Sequence, residues 1–139
     1  MQSNSFSTRL YKLLETKTVQ YVYVPLVLYW ITLFTITTIP QHFVQKLFEL
    51  QDKIEHFLAY TVLAILLNLS LHFQKKISKL SYNSALFTFL LITVYAGLDE
   101  IHQIIVPGRY ADFFDWVADS LGGLSGVYIA VTFIKNAKK

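Results

Sequence analysis

Four long apolar stretches, at residues 21–39, 54–73, 82–106 and 113–134, leave this chain few ways to fold. Each is long enough to cross a hydrocarbon core of roughly 30 Å at 1.5 Å of helical rise per residue. The expected architecture is therefore all-α: an integral membrane four-helix bundle whose first partner is the lipid bilayer. The last two stretches carry Asp99, Glu100, His102, Gln103, Asp115 and Asp119. Such groups are costly in hydrocarbon unless they are paired or face a polar cavity, so their gathering at one end of the spans marks a functional site by default.

Composition narrows the alternatives. Of 139 residues, 54% are hydrophobic and 16% aromatic, and the spans absorb most of them, which leaves a single domain. Cysteine is absent, which excludes disulfides, thiolate catalysis and cysteine metal sites. A net charge of +3 and a pI near 9.1 can accompany nucleic-acid binding. Here the cations sit just outside the apolar stretches, where they act as topology signals, and no nucleic-acid partner is expected.

Arg9, Lys12 and Lys17 precede the first span, Lys75, Lys76 and Lys79 fill the second loop, and Lys135, Lys138 and Lys139 follow the fourth span. The other side holds only Lys46, Lys53 and Arg109. This asymmetry predicts both termini in the cytoplasm and the acid-bearing loops outside. Residues 1–20 are expected as a cytoplasmic N-terminal segment, too polar for a cleaved signal peptide. Phe6, Leu10, Leu13 and Leu14 recur there at helical spacing, which fits either a short interfacial helix or an unstructured tail. Residues 21–134 form the membrane domain and 135–139 a basic cytoplasmic tail.

The polar residues resolve into helix faces. Asp52 followed three residues later by Glu55 has capping-box spacing. His56 and Tyr60 lie one and two turns beyond Asp52 on the same face, continued by Leu63 and Leu67; a packing histidine is the plain alternative. Tyr95, Asp99 and Gln103 form one stripe with Glu100 on its flank, about two turns or roughly 10 Å from a helix end at Pro107-Gly108. His102 points away from that stripe and reads as an interfacial residue. Asp112, Asp115, Asp119, Gly122 and Gly126 share an arc of about 80°. Asp112 and Asp115 suit an N-cap and a first helical turn, whereas Asp119 lies too deep for either role. Gly122 and Gly126 make a small-xxx-small face on which another helix can approach closely. Arg109, the lone arginine of this half, is expected either to be held by nearby acids through bidentate bonds or to grip a phosphate or carboxylate of a ligand.

The run Asp52-Lys53-Ile54-Glu55-His56, then Asp99-Glu100 with Gln103 and Pro107-Gly108-Arg109, then Asp112, Asp115 and Asp119 with Gly122, resembles the VanZ-like family over about residues 25–134. These are small bacterial integral membrane proteins, named for a member linked to low-level resistance to the glycopeptide teicoplanin. The resemblance implies a bacterial cytoplasmic membrane, and the family pattern maps onto Asp52, Lys53, His56, Asp99, Glu100, Gln103, Pro107, Gly108, Arg109, Asp115 and Gly122. It implies no established chemistry. One position departs from it, since Asp119 stands where the family pattern has asparagine.

The candidate binding site therefore comprises Asp52, His56, Tyr60, Asp99, Glu100, Gln103, Arg109, Asp112, Asp115 and Asp119. Its expected ligand is an envelope component: a lipid-linked precursor, an anionic lipid head group or a lipoglycopeptide. An enzyme with His56 or Glu100 as general base and Arg109 as electrostatic clamp is the weaker reading, because no nucleophile motif supports it. Ion passage would need polar groups across the full depth, and the other half offers only Asn68, Ser70 and scattered hydroxyls. His56, Glu100, Asp115 and Asp119 have the ligand types for a divalent cation, but salt-bridging among them is the expectation, with no metal or cofactor. A polar layer that only fixes helix packing is the structural alternative. Oligomeric state is not legible in the sequence.

Overall fold

The structure, a computed structural model, describes residues 6–40, 48 and 50–139. Lys46, counted above with the cations of the first interspan loop, lies outside them. The described elements are α1 (Phe6–Thr16), a π-helical stretch (Val19–Tyr23) that runs into α2 (Val24–Thr37), α3 (Gln51–Phe73), the short α4 (Ser78–Tyr82), α5 (Ser84–Gln103) and α6 (Phe113–Ala137). Four helical segments of 19, 23, 20 and 25 residues are long and apolar enough to cross a membrane. The chain is thus a multi-pass membrane protein. Helices satisfy every backbone group within one segment, which a bilayer demands.

Local sequence explains the irregular ends. Pro25 has no N–H for the carbonyl of Tyr21 one turn back, and the helix widens into its π-helical stretch immediately before it. The third span is shorter at both ends than its apolar run. Asn83 separates α4 from α5, and α5 stops at Gln103. Beyond it the amides of Ile104, Ile105 and Val106 bond to carbonyls three residues back, a tightened turn that ends at Pro107. Gly108 then takes φ 78°, a left-handed conformation that glycine adopts without steric penalty. Glu100 consequently lies within one turn of the helix end, not the two turns expected from sequence.

The bundle is organised around α6, which packs against both α3 and α5 while those two also meet each other. A Cβ at Gly122 would stand 2.3 Å from the Phe57 carbonyl oxygen, and one at Gly126 2.3 Å from that of Thr61. The small-residue face thus brings α6 against the backbone of α3. A Cβ on Gly123, which the sequence pattern did not single out, would stand 2.5 Å from Ile92 Cγ2 of α5, so three glycines serve two interfaces. The first span is peripheral, with Val22 and Leu26 buried and Val27, Leu28, Ile31, Phe34 and Ile36 exposed to the surrounding phase. Those side chains form part of the exposed apolar surface of the spans.

Residues 6–16 form a helix rather than a tail. Tyr11, not the leucines, is its buried residue, packed with Val22, Leu69, Phe73, Ile134 and Ala137. Thr8 Oγ1 donates to the Ala137 carbonyl at 3.2 Å, and the Tyr11 hydroxyl meets His72 Nε2 at 3.1 Å. α1 therefore closes the end of the bundle where the lysines of the second loop and of the C-terminus stand.

Candidate functional site

The opposite end collects the acids. Asp112 caps α6, its Oδ1 accepting from the Phe114 amide at 2.8 Å, and the expected N-cap role is the observed one. The capping box on α3 is not formed. That helix begins at Gln51 with Leu50 as its cap residue, which places Asp52 inside the first turn, and Glu55 instead accepts from Gln51 Nε2 at 2.7 Å. The start of the helix one residue before Asp52 is what removes the geometry.

Lys53 binds the two helices together. Its ammonium donates to Asp112 Oδ2 and, at 2.5 Å, to Asp115 Oδ1, joining the start of α3 to the start of α6. The Lys53 ammonium also holds the Asp112 carboxyl below the usual aspartate range. In the sequence Lys53 reads as a topology cation and as part of the family pattern, not as a site residue. The available signal was its position one residue after Asp52 and three before His56.

One turn deeper, His56 Nδ1 meets Asp119 Oδ1 at 3.0 Å, with Asp119 wholly buried and the His56 side chain 10% exposed. The second Asp119 oxygen, Oδ2, is buried and has no hydrogen-bond partner. Glu100 is buried too, and its Oε2 accepts from the Asp112 backbone N–H at 2.7 Å, tying the end of α5 to the loop before α6. Gln103 Nε2 approaches Glu100 Oε1 at 3.5 Å, the outer limit of a hydrogen bond. Tyr60 and Asp99 are both buried, with the Tyr60 hydroxyl 3.5 Å from Asp99 Oδ2.

Arg109 departs from the expectation that nearby acids hold it. Its Nε donates to the Ile39 carbonyl at 2.9 Å and its Nη1 to Gln103 Oε1 at 3.3 Å, and among the described residues it forms no ion pair. Lys53 is nearer to the carboxylates of α6 and takes them, so the guanidinium ties the end of the first span to the end of the third. His102 lies outside the cluster, stacked on Phe34 with ring centroids 5.0 Å apart, as its off-face position suggested.

A cleft of about 300 Å³ opens between the first span, α3 and the Arg109 loop. One wall is apolar, formed by Leu33, Ile36 and Ala59. The other presents Asp52, Glu55, His56, Tyr60, Asp99 and Arg109. His56 thus has the cleft on one side and the buried Asp119 on the other, whereas Asp115 and Gln103 stay in the packed interior. Two groups of three have donor atoms within 4.8 Å of one another and could hold a metal ion: Asp52, His56 and Asp115, and His56, Glu100 and Asp119.

The VanZ/LLP1 family model matches residues 2–135, nearly the whole chain. The chain belongs to the VanZ/LLP1 family. The match runs through α1, so the helix that closes the lysine-rich end is part of the family region and not an appendage to it. No curated protein and no solved structure matches the chain. Asp119 is the most deeply buried acid of the cluster.

Proposed function

We propose that the acid-bearing end binds the polar head of a membrane-resident envelope component: a lipid-linked precursor, an anionic lipid or a lipoglycopeptide. The observation that carries this reading is the two-walled cleft of about 300 Å³. Two of its three apolar residues, Leu33 and Ile36, belong to the peripheral first span, so an acyl chain can stay in the bilayer while the head meets His56, Tyr60, Asp99 and Arg109. The lysine asymmetry supports an orientation with this end on the outer face of a bacterial cytoplasmic membrane, where such molecules are displayed. A contribution to teicoplanin resistance is the form the activity takes when the ligand is a lipoglycopeptide.

The polar layer divides under this reading. Lys53, Asp112 and Asp115 satisfy one another and fix helix packing, while the cleft-facing groups recognise the ligand. The structural alternative extends packing to the whole layer and is favoured by the two bonds that Arg109 already makes. Native mass spectrometry of the purified protein, read for retained lipids, separates the two. A ligand site retains a defined lipid that Arg109→Ala loses and Arg109→Lys largely loses, since an ammonium does not reproduce a planar guanidinium. Retention of nothing specific, with parallel loss of thermal stability in Arg109→Ala and Glu100→Gln, would leave the layer a packing device.

A further inference from the structure

We infer that His56, Glu100 and Asp119 form a site for one divalent transition-metal cation at the inner wall of the cleft. Their donor atoms lie within 4.8 Å of one another and come from three different helices, α3, α5 and α6. The spacing of His56 Nδ1 and Asp119 Oδ1, 3.0 Å, already suits adjacent ligands on one ion; metal–ligand bonds of about 2.0–2.1 Å place neighbours about 3.0–3.4 Å apart. The Glu100 donor oxygen lies within 4.8 Å of the other two donor atoms, and closure to ligand spacing is within reach of a rotation about its side-chain torsions.

A second observation points to the ion independently of that spacing. Asp119 is completely buried in a membrane-spanning helix and its Oδ2 has no hydrogen-bond donor. Among the described residues neither Glu100 nor Asp119 has a lysine or arginine partner, because Lys53 is committed to Asp112 and Asp115. A buried carboxylate oxygen without a partner is costly, and a cation held by both Asp119 oxygens together with His56 and Glu100 supplies the missing partner. The alternative triad of Asp52, His56 and Asp115 is less suited, since the Lys53 ammonium already stands on Asp115.

One imidazole and two carboxylates favour a first-row ion such as Zn²⁺ or Mn²⁺ over Ca²⁺, which takes oxygen ligands only. Three protein ligands leave coordination positions open. With His56 lining the cleft, those positions can take an oxygen from a phosphate or carboxylate in a bound head group. That role rests on the cleft being a ligand site, whereas ion binding does not.

The test uses the full chain, free of any affinity tag, stripped with a chelator in lipid-free detergent and equilibrated with Zn²⁺ or with Mn²⁺. Bound ion is counted by elemental analysis, and Mn²⁺ also by electron paramagnetic resonance. One ion per chain is expected, with affinity at least about tenfold weaker in His56→Ala and Asp119→Ala, a loss that even outer-shell changes at metal sites reach. His72→Ala and His102→Ala should bind as the parent does. A parent protein that takes up no stoichiometric ion overturns the assignment whether or not the variants fold, as does binding that survives in His56→Ala and disappears in His72→Ala. Head-group retention is read in its own assay, so loss of lipid binding with ion binding intact counts against the cleft alone.

Discussion

The two ends of this bundle carry opposite charge and treat it in opposite ways. At the lysine-rich end, Lys75, Lys76, Lys79, Lys135, Lys138 and Lys139 are exposed, and the interior is filled by Tyr11, Phe73 and Ile134. At the other end, Asp99, Glu100, Asp115 and Asp119 are buried and bonded across helices. Helix contact differs in the same way: side chains separate α1, α3 and α6 at one end, whereas Gly122 and Gly126 bring α6 onto the backbone of α3 toward the other. Exposed charge is free to act as a topology signal because it costs nothing to leave in water. Buried charge requires partners at fixed places, and fixed places require helices that approach closely.

The contrast can be broken most severely through the glycines. Gly122→Leu would place its side chain on the Phe57 carbonyl, which is backbone and cannot move aside. A loss above about 3 kcal/mol, at or beyond the upper end of overpacking effects, is expected as lost abundance in the membrane. Normal abundance and thermal stability of this variant would show that the close approach is dispensable.

Next in size, Lys53→Met should leave Asp112 and Asp115 without their common partner. The cost expected is about 2 kcal/mol, between the ~3–5 of a broken buried pair and the ~0–1 of an exposed one, because the lysine side chain is 28% exposed. Thermal unfolding in detergent reads it, and a shift no larger than that of a lysine at the opposite end would erase the distinction between the two ends.

A smaller effect is the pH dependence of the same bridge. The Asp112 carboxyl is held below its unfolded value, so its stabilising share is fully present above the ordinary aspartate pKa of about 3.9 and is lost as pH falls through the depressed one. Acidification below about pH 4 should lower the melting temperature of the parent more than that of Asp112→Asn. Equal slopes for the two proteins would remove the bridge from the account.

Smallest in stability are the lysines. Replacing Lys75, Lys76 and Lys79 together by Gln should change unfolding by no more than about 0.5 kcal/mol per site, as for surface positions in general. The same replacement should nevertheless blur orientation, since these three supply much of the asymmetry. Single cysteines at Ser78 and Tyr110 of this cysteine-free chain report it. In intact cells an impermeant thiol reagent should label Tyr110→Cys and not Ser78→Cys, and the reverse pattern would invert the proposed topology.

The sequence by itself determined four membrane-spanning helices, the family, the face on which Asp112, Asp115 and Asp119 lie, and the close approach at Gly122 and Gly126. Each of these follows from period, length or local chemistry, which are properties of a single segment. Tertiary structure decided who pairs with whom. Capping by Asp52 disappeared when the helix began at Gln51, and Glu100 became shallow when α5 ended at Gln103. Lys53 took the acids that Arg109 was expected to hold, and Arg109 turned to Ile39, seventy residues away in sequence. Helical periodicity gives the direction in which a side chain points but carries no information on the rotation and depth of the neighbouring helix. An ion pair depends on both, and they are set only when all the helices pack together.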